Sequence, residues 1–443
     1  MLDGDIVWSV WRHTEAGRDI QPPTNCRSNK NGVEIGMIPV SPDGKSAWQG
    51  CNLTEINGGK TNSKESFFRA IKAATVIGTL QAGFTEFNYG TKDTKETFEK
   101  EALLGVSITG WMENPKFLFD EEVLKEGAEY AKEVNKQVAK LIGINQAARV
   151  TCTKPSGNAS VLLGTSSGIH PHHAKRYFRH IQGNKEEDVV KAFIEANPKA
   201  VEDSVWSASG KDVVLSFPIT SPKGSMFKDH LTGVALLDYV KVAQNSWVEH
   251  GTNVDLGNHP KLRHNISNTI TVDDWDEVSE YVWENQNHFA GISFLPPSGD
   301  KDYPQAPFTE VKTAEEILLE YGTASMLASG LVVDGLHAFS NNLWQACDTV
   351  MDKGIDLSVK SSENALQRDW VRRAKKYARR YFKNDLQVMT YCLKDVHLLH
   401  KWETVSRSFK AVDWLSADIK PKYIEVNTTG AVACSGGVCD VVF

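Results

Sequence analysis

Apolar residues recur at helical spacing in two long stretches of the chain. Across 64–86, Phe67, Ala70, Ile71, Ala74 and Ile77 fall on one face. Across 121–142, Leu124, Ala128, Ala131, Val134, Val138 and Leu141 form one stripe among lysines and glutamates. Both patterns predict amphipathic helices. Thr313 followed by Glu316 reads as a capping box that opens a further helix through Leu327. Short β-branched or apolar runs at 148–153, 213–219, 267–272, 291–296 and 331–333 read as strands. Strands alternating with helices of ten or more residues argue for parallel βα units and against a sandwich. Within residues 1–20, an amphipathic stretch (Ile6, Val7, Trp8, Val10, Trp11) begins abruptly, as if inside a larger fold.

Composition narrows the class. With 443 residues, 41% of them hydrophobic, the chain can bury a large core, either as several domains or as one large α/β barrel. A net charge of −7 supplies no global attraction for nucleic acid or anionic membranes. The basic run Arg372–Arg380 reads as the solvated face of a helix. No apolar stretch reaches membrane-spanning length and the first residues lack a signal-peptide pattern, so the expectation is a cytoplasmic protein without membrane contact. Seven cysteines without regular spacing fit a reducing compartment better than a disulfide framework.

Candidate chemistry concentrates after the run 148–153. Lys154, Pro155, Ser156, Gly157, Asn158, Ala159 and Ser160 precede the apolar Val161-Leu162-Leu163. This is a strand entering a small-residue turn whose backbone amides face an incoming anion and whose hydroxyls add donors. An isolated turn of this kind is more often a plain strand-to-helix connection, and only the longer context raises its standing. His170, His172 and His173 invite a metal reading, but three imidazoles within four residues rarely converge, and no finger-like ligand spacing follows; no metal is assigned. Near the C-terminus, Cys434 and Cys439 are separated by four residues in a Gly-rich setting that suits a mobile dithiol able to exchange with a partner disulfide. Two incidental thiols are the plain alternative.

Taken together, Lys154–His180, Gly105–Trp111, Gln49–Ile56 and Gly291–Pro296 resemble the catalytic chain of adenosylcobalamin-dependent (class II) ribonucleoside-triphosphate reductases, in its later part only. The resemblance implies an α/β fold, the second half of a ten-stranded barrel, with a flexible C-terminal redox tail. Residues 1–400 would form the C-terminal part of the barrel and 401–443 an extension bearing the tail. The implied reaction is radical reduction of ribonucleoside triphosphates at the 2′ carbon, started by homolysis of adenosylcobalamin. Thioredoxin or a similar dithiol would deliver electrons through Cys434 and Cys439 to an active-site pair that includes Cys51. The other member of that pair lies in the family's N-terminal region, which has no counterpart in this sequence, so a separate N-terminal reductase fragment is a candidate partner. By the same resemblance, residues 155–160 lie against substrate phosphates, Glu34 is the acid–base group near the ribose, and Asn29 orients its hydroxyls.

The chain departs from the family at the radical cysteine. Asn29 and Glu34 are present, but Lys30-Asn31-Gly32 stands where one residue and that cysteine belong. An asparagine amide cannot form a stable thiyl-type radical and return a hydrogen atom. Cys26, the nearest thiol, would need the loop rebuilt to take its place. Activity is therefore open. The alternatives are a catalytically inactive nucleotide-binding remnant and the large chain of a diiron-dependent (class I) reductase.

Overall fold

The computed structural model describes residues 8–11, 34–37, 40–41, 43–88, 90–297, 305–325, 379–383 and 385–414. Asn29, Asn31, Cys26, Cys434, Cys439, the expected strand at 331–333 and most of the basic run from Arg372 lie outside these residues. In chain order the elements are β1 (Trp8–Trp11), β2 (Asn52–Asn57), α1 (Lys64–Ala82), α2 (Lys92–Glu101), β3 (Leu104–Thr109), α3 (Pro115–Leu118) and α4 (Glu121–Ile142). There follow β4 (Thr151–Cys152), α5 (Gly157–Leu163), β5 (Arg176–Asn184), α6 (Asp188–Ala196), β6 (Val201–Asp203), β7 (Asp212–Thr220) and α7 (Gly233–Ala243). The last are β8 (Thr269–Thr271), α8 (Trp275–Asn285), β9 (Gly291–Leu295), β10 (Phe308–Glu310), α9 (Ala314–Tyr321) and α10 (Leu386–Ser408). Among the described residues, no helix is long and apolar enough to cross a membrane.

Two compact units result. The first draws on residues 8–173 and 221–297, the second on 174–220, 305–325 and 379–414. The expected division after residue 400 falls inside α10.

In the first unit β2, β3 and β4 form a parallel sheet in that order. A second sheet pairs β8 with β9 in parallel and β9 with β1 antiparallel. Thr153, just past β4, bridges Ile266 in parallel. Its N–H donates to Asn265 O (3.2 Å) and its carbonyl accepts from Ser267 N (3.0 Å). This single bridge brings the segment leading into β8 alongside the end of β4, while β2-β3-β4 and β8-β9-β1 remain two three-stranded sheets. Parallel neighbours need crossover connections, and helices supply them in both sheets.

The helices bury one face of these strands. Leu104, Val106 and Ile108 are fully buried, in one cluster with Phe67 and Ile71 of α1 and Leu124, Ala128 and Ala131 of α4. Ser63 and Ser66 close a capping box that starts α1, and Asp120 accepts from Glu122 N and Val123 N to start α4. Gly143, at φ 76°, ends α4 in the left-handed conformation that glycine tolerates best. Both predicted helices are present; α1 stops at Ala82 and does not reach residue 86.

The second unit corrects the expectation of parallel βα units. Residues 212–220 pair antiparallel with β5 along all nine residues, from Arg176↔Thr220 to Asn184↔Asp212, in a sheet ordered β10-β5-β7-β6. Its buried cluster joins Phe178, Val190, Phe193, Val213, Leu215 and Val405. The apolar run Val213-Val214-Leu215 declares a strand but not the direction of its neighbour, which is why the sequence misleads at this strand. The capping box at Thr313 and Glu316 is present, α9 ends at Tyr321 where Gly322 (φ 64°) follows, and Leu327 lies outside the described residues.

Candidate active site

Side chains alternate across a strand, so the face opposite Leu104, Val106 and Ile108 carries Gly105, Ser107 and Thr109. Register aligns Glu55 with Ser107, Ser107 with Cys152, and Leu53 with Gly105. Besides Leu53 over Gly105, that face carries polar and thiol groups: Cys51 and Glu55 beside β3, Ser107 at its centre, Cys152 and then Lys154 beyond it. The N–H of Lys154 donates to Ser107 Oγ (2.9 Å), which ties the start of the 154–160 loop to the middle strand.

Glu34 reaches this face through a clamp on the segment 263–265. Its carbonyl accepts from Asn265 N (2.9 Å), and Gly36 N donates to His264 Nδ1 (3.1 Å). A Cβ on Gly36 would stand 2.1 Å from Arg263 O, so only glycine permits this approach. His264 Nε2–H then donates to Leu104 O (2.8 Å), and burial, helped by nearby Arg149, pushes the imidazole down to about 3, so it stays neutral. Arg149 Nε donates to Gly36 O (3.1 Å), while its guanidinium pairs with Glu101 in a fully buried ion pair.

The electrostatics of the face follow from burial. Desolvation raises the Glu34 carboxyl above its ordinary value, opposed by backbone hydrogen bonding and the Lys154 charge. Glu55 is pushed up to about 7, chiefly by desolvation and further by Glu34, while the Ser107 hydroxyl and Lys154 oppose the rise. Although Ser107 lies close enough to exert that pull, neither Glu55 oxygen makes a hydrogen bond of ordinary geometry, and Glu34 Oε2 also has no partner. Cys51 is only partly exposed and densely surrounded; burial and the Glu34 carboxylate push its thiol up, against the pull of Arg149. It rests as a thiol, not a thiolate.

Cys152 is a second thiol in the same neighbourhood. A Cβ added to Gly105 would lie 3.1 Å from Cys152 Sγ and 3.2 Å from Cys51 Sγ, so the glycine leaves room for both sulfurs. Both are free, and because β3 runs between them, a disulfide would require the strands to shift.

The 154–160 loop sits at the C-terminal end of β4, and α5 begins at Gly157. Ser156 Oγ is buried without a partner, and Ser160 Oγ donates to Gly157 O (3.0 Å). The N–H of Gly157 is turned to Pro155 O (3.1 Å), so this amide serves the turn itself. An added Cβ at Gly157 would meet nothing within 4 Å. Of Asn158 the backbone alone is described. Gly168 (φ 55°) packs against the loop, since its Cβ would lie 2.5 Å from Lys154 O.

The histidines are drawn to separate partners. His170 Nδ1–H donates to Ser167 O (3.1 Å) and Nε2 accepts from Thr269 N (3.0 Å). His172 Nε2 lies 2.9 Å from Glu113 Oε1, which also accepts from Ser166 N (2.8 Å); these bonds hold the Glu113 carboxyl below its usual range although burial pushes the other way. This network braces the 164–173 connection.

Of the residues expected from sequence, Glu34 and Cys51 are brought to the same strand face as the start of the 154–160 loop. Glu55, Ser107, Lys154 and Cys152 join them and were not expected as site residues. The available signal was the alternation in Leu104-Gly105-Val106-Ser107-Ile108-Thr109, which places Ser107 on the face away from the helices; Leu53-Thr54-Glu55-Ile56 carries no such alternation.

A mixed α/β protein with carboxylates and thiols gathered on the buried face of a parallel sheet away from α1 and α4, beside a strand-to-helix loop, is the class that fold and site define. Comparison with known proteins gives this class a direction. The chain is similar to a probable adenosylcobalamin-dependent ribonucleoside-triphosphate reductase of Dictyostelium discoideum, with 24% identity over 289 residues, 62% of this chain and 35% of that protein. It is also similar to the adenosylcobalamin-dependent ribonucleoside-triphosphate reductase of Euglena gracilis, with 21% identity over 287 residues, 62% of this chain and 36% of that protein. The match thus spans about a third of each curated relative. A crystal structure of a B12-dependent (class II) ribonucleotide reductase superposes with a TM-score of 0.48 and 17% identity, covering 60% of this chain and 39% of the other. No protein-family profile matches the chain.

Proposed function

We propose that this chain is the C-terminal part of a ribonucleotide reductase that converts ribonucleoside triphosphates to 2′-deoxyribonucleoside triphosphates. The observation that supports the reading best is the pairing of Glu34 and Glu55, buried carboxylates with orphaned oxygens, on one strand face with Cys51. Buried polar groups find partners in folded proteins, so orphaned acceptors await a ligand that brings donors. A ribose brings hydroxyls. In this reading Glu34 moves a proton at a ribose hydroxyl, and residues 155–160 hold the phosphates, with Ser156 Oγ as one free donor. Reduction at the 2′ carbon removes a hydroxyl as water and consumes two electrons and two protons, which a dithiol supplies on closing to a disulfide. Cys51 is one such thiol, and Cys434 with Cys439 would restore it at the expense of thioredoxin.

Adenosylcobalamin is the cofactor this reading calls for, and it supplies the initiating radical when bound. The orphaned oxygens accept hydrogen bonds, and in this reading Glu34, Glu55 and Ser156 serve the substrate while Cys51 serves electron delivery. The relatives' names speak against the diiron-dependent alternative. Asn31, standing where the radical cysteine is expected, favours a second reading in which nucleotide binding survives without reduction.

The test is co-expression with a separate N-terminal reductase fragment, followed by assay of deoxynucleotide formation with adenosylcobalamin and a dithiol. Turnover supports the reductase reading. Nucleotide binding without turnover, with or without the fragment, supports the remnant.

A further inference from the structure

Glu55 lies on β2 in register with Ser107, on the face shared with Cys51 and Cys152, and it feels Glu34 from the clamped 34–36 segment and Lys154 from the loop after β4. Both its oxygens are shielded from solvent and neither has a hydrogen bond of ordinary geometry; Glu34 Oε2 shares this condition. Asn57, two residues further along the same face, holds Leu163 O through its Nδ2 (3.1 Å) and keeps a buried Oδ1 without a partner. The orphaned atoms on this strand face are therefore acceptors. An ionised carboxylate accepts and cannot donate. A phosphate, itself an acceptor, is repelled from such a surface, whereas a sugar bearing hydroxyls satisfies it.

We propose that Glu55, acting with Glu34, binds the sugar hydroxyls of a ribonucleotide and selects it over an analogue lacking them. The inference rests on the nucleotide reading above and adds the residue that discriminates the sugar. A site built to bond a hydroxyl rejects the analogue lacking it strongly, because its own buried groups are then left unpaired. The charged groups facing Glu55 are Glu34 and Lys154, with the neutral thiols of Cys51 and Cys152 nearby. As pH rises from 6 to 8 Glu55 passes to its ionised, stronger-accepting form.

The experiment measures binding of the four ribonucleoside triphosphates, their 2′,3′-dideoxy counterparts and inorganic tripolyphosphate to the full chain by calorimetry at pH 6 and pH 8. Wild type is expected to prefer the ribonucleotide by roughly tenfold or more at pH 8, and by less at pH 6. In Glu55→Gln that preference should shrink severalfold and lose its pH dependence, with tripolyphosphate affinity unchanged. Should that variant fail to fold, Glu55→Asp, which retracts the carboxylate by one methylene, should give an intermediate preference. Wild type and variant discriminating equally would overturn the role of Glu55 and leave the nucleotide reading standing. Wild type binding no nucleotide would overturn both. Binding of Mg2+ alone that Glu55→Gln abolishes would replace the sugar with a metal ion as the occupant.

Discussion

Arg149 and Glu101 form a two-pronged ion pair, Nη2 to Oε2 at 2.7 Å and Nη1 to Oε1 at 3.3 Å, with side chains 1% and 0% exposed. The pair is a junction as well as a contact. Glu101 also accepts from Asn258 N (2.8 Å) and from Gln49 Nε2, and Arg149 holds Gly36 O. Segments around residues 36, 49 and 258 thus converge on two charges, and the first two carry Glu34 and Cys51. The Arg149 charge and these hydrogen bonds hold the Glu101 carboxyl below its ordinary range in spite of burial.

Removing one charge strands the other. Arg149→Met is expected to lower unfolding free energy by about 3–5 kcal/mol, since a buried carboxylate is left without its counter-ion. Arg149→Met combined with Glu101→Leu should cost clearly less than the sum of the two single changes. Urea unfolding of the four proteins checks both statements.

Gly36→Ala places a Cβ 2.1 Å from Arg263 O, a backbone atom that cannot swing aside. A loss of about 1–3 kcal/mol is expected. Because the displaced segment carries Glu34, nucleotide affinity should fall in the same variant while tripolyphosphate binding changes less. A thermal melt paired with calorimetry reads the two effects separately.

At Gly157 the opposite holds. A side chain there meets open space, so Gly157→Leu should leave the melting temperature within a few degrees of wild type. If the 154–160 loop receives phosphates, the same variant should lose nucleotide and tripolyphosphate binding together. Unchanged affinity in a titration removes the loop from the site.

The pH dependence of stability follows from Glu55. Its folded carboxyl titrates near 7 against 4.5 for the ordinary group, so the folded state holds the proton more tightly than the unfolded chain. Its contribution is fully present below pH 4.5 and is lost as pH rises through 7. The loss is on the order of 2–3 kcal/mol, at 1.36 kcal/mol per pH unit of displacement and reduced for partial solvent contact. Glu55→Gln should flatten that part of the profile and stabilise the unliganded chain at pH 8, as chemical denaturation between pH 4.5 and pH 8 would show.

Much of the fold is legible in the order of residues. The helix at 121–142 is read directly because its apolar stripe and its acidic N-terminal cap state the same boundaries. Strand β3 is harder, since all six of its residues are buried and the alternation of Leu104, Val106 and Ile108 with Gly105, Ser107 and Thr109 does not show that its polar face is buried too. In the site, Glu34 and Cys51 are legible only through likeness to a known family. Glu55 escapes notice because a glutamate beside β-branched neighbours looks solvated until a second layer covers it. Cys152 escapes notice because the chain separates it from Cys51 by about a hundred residues, and only β3 lying between them makes them neighbours.

Periodicity, capping residues and the helix-ending Gly143 were settled by local chemistry, each depending on atoms a few residues apart, and the sequence alone determined them. Strand partners, their directions and the convergence of Glu34, Glu55 and Cys51 on one face depend on contacts between segments far apart in the chain. Those contacts coexist in the fold with the buried Arg149–Glu101 pair, the His264 bridge and the helix-covered strand face. The tertiary structure decided them because burial changes the energy of every charge involved, and burial is a property of the whole unit.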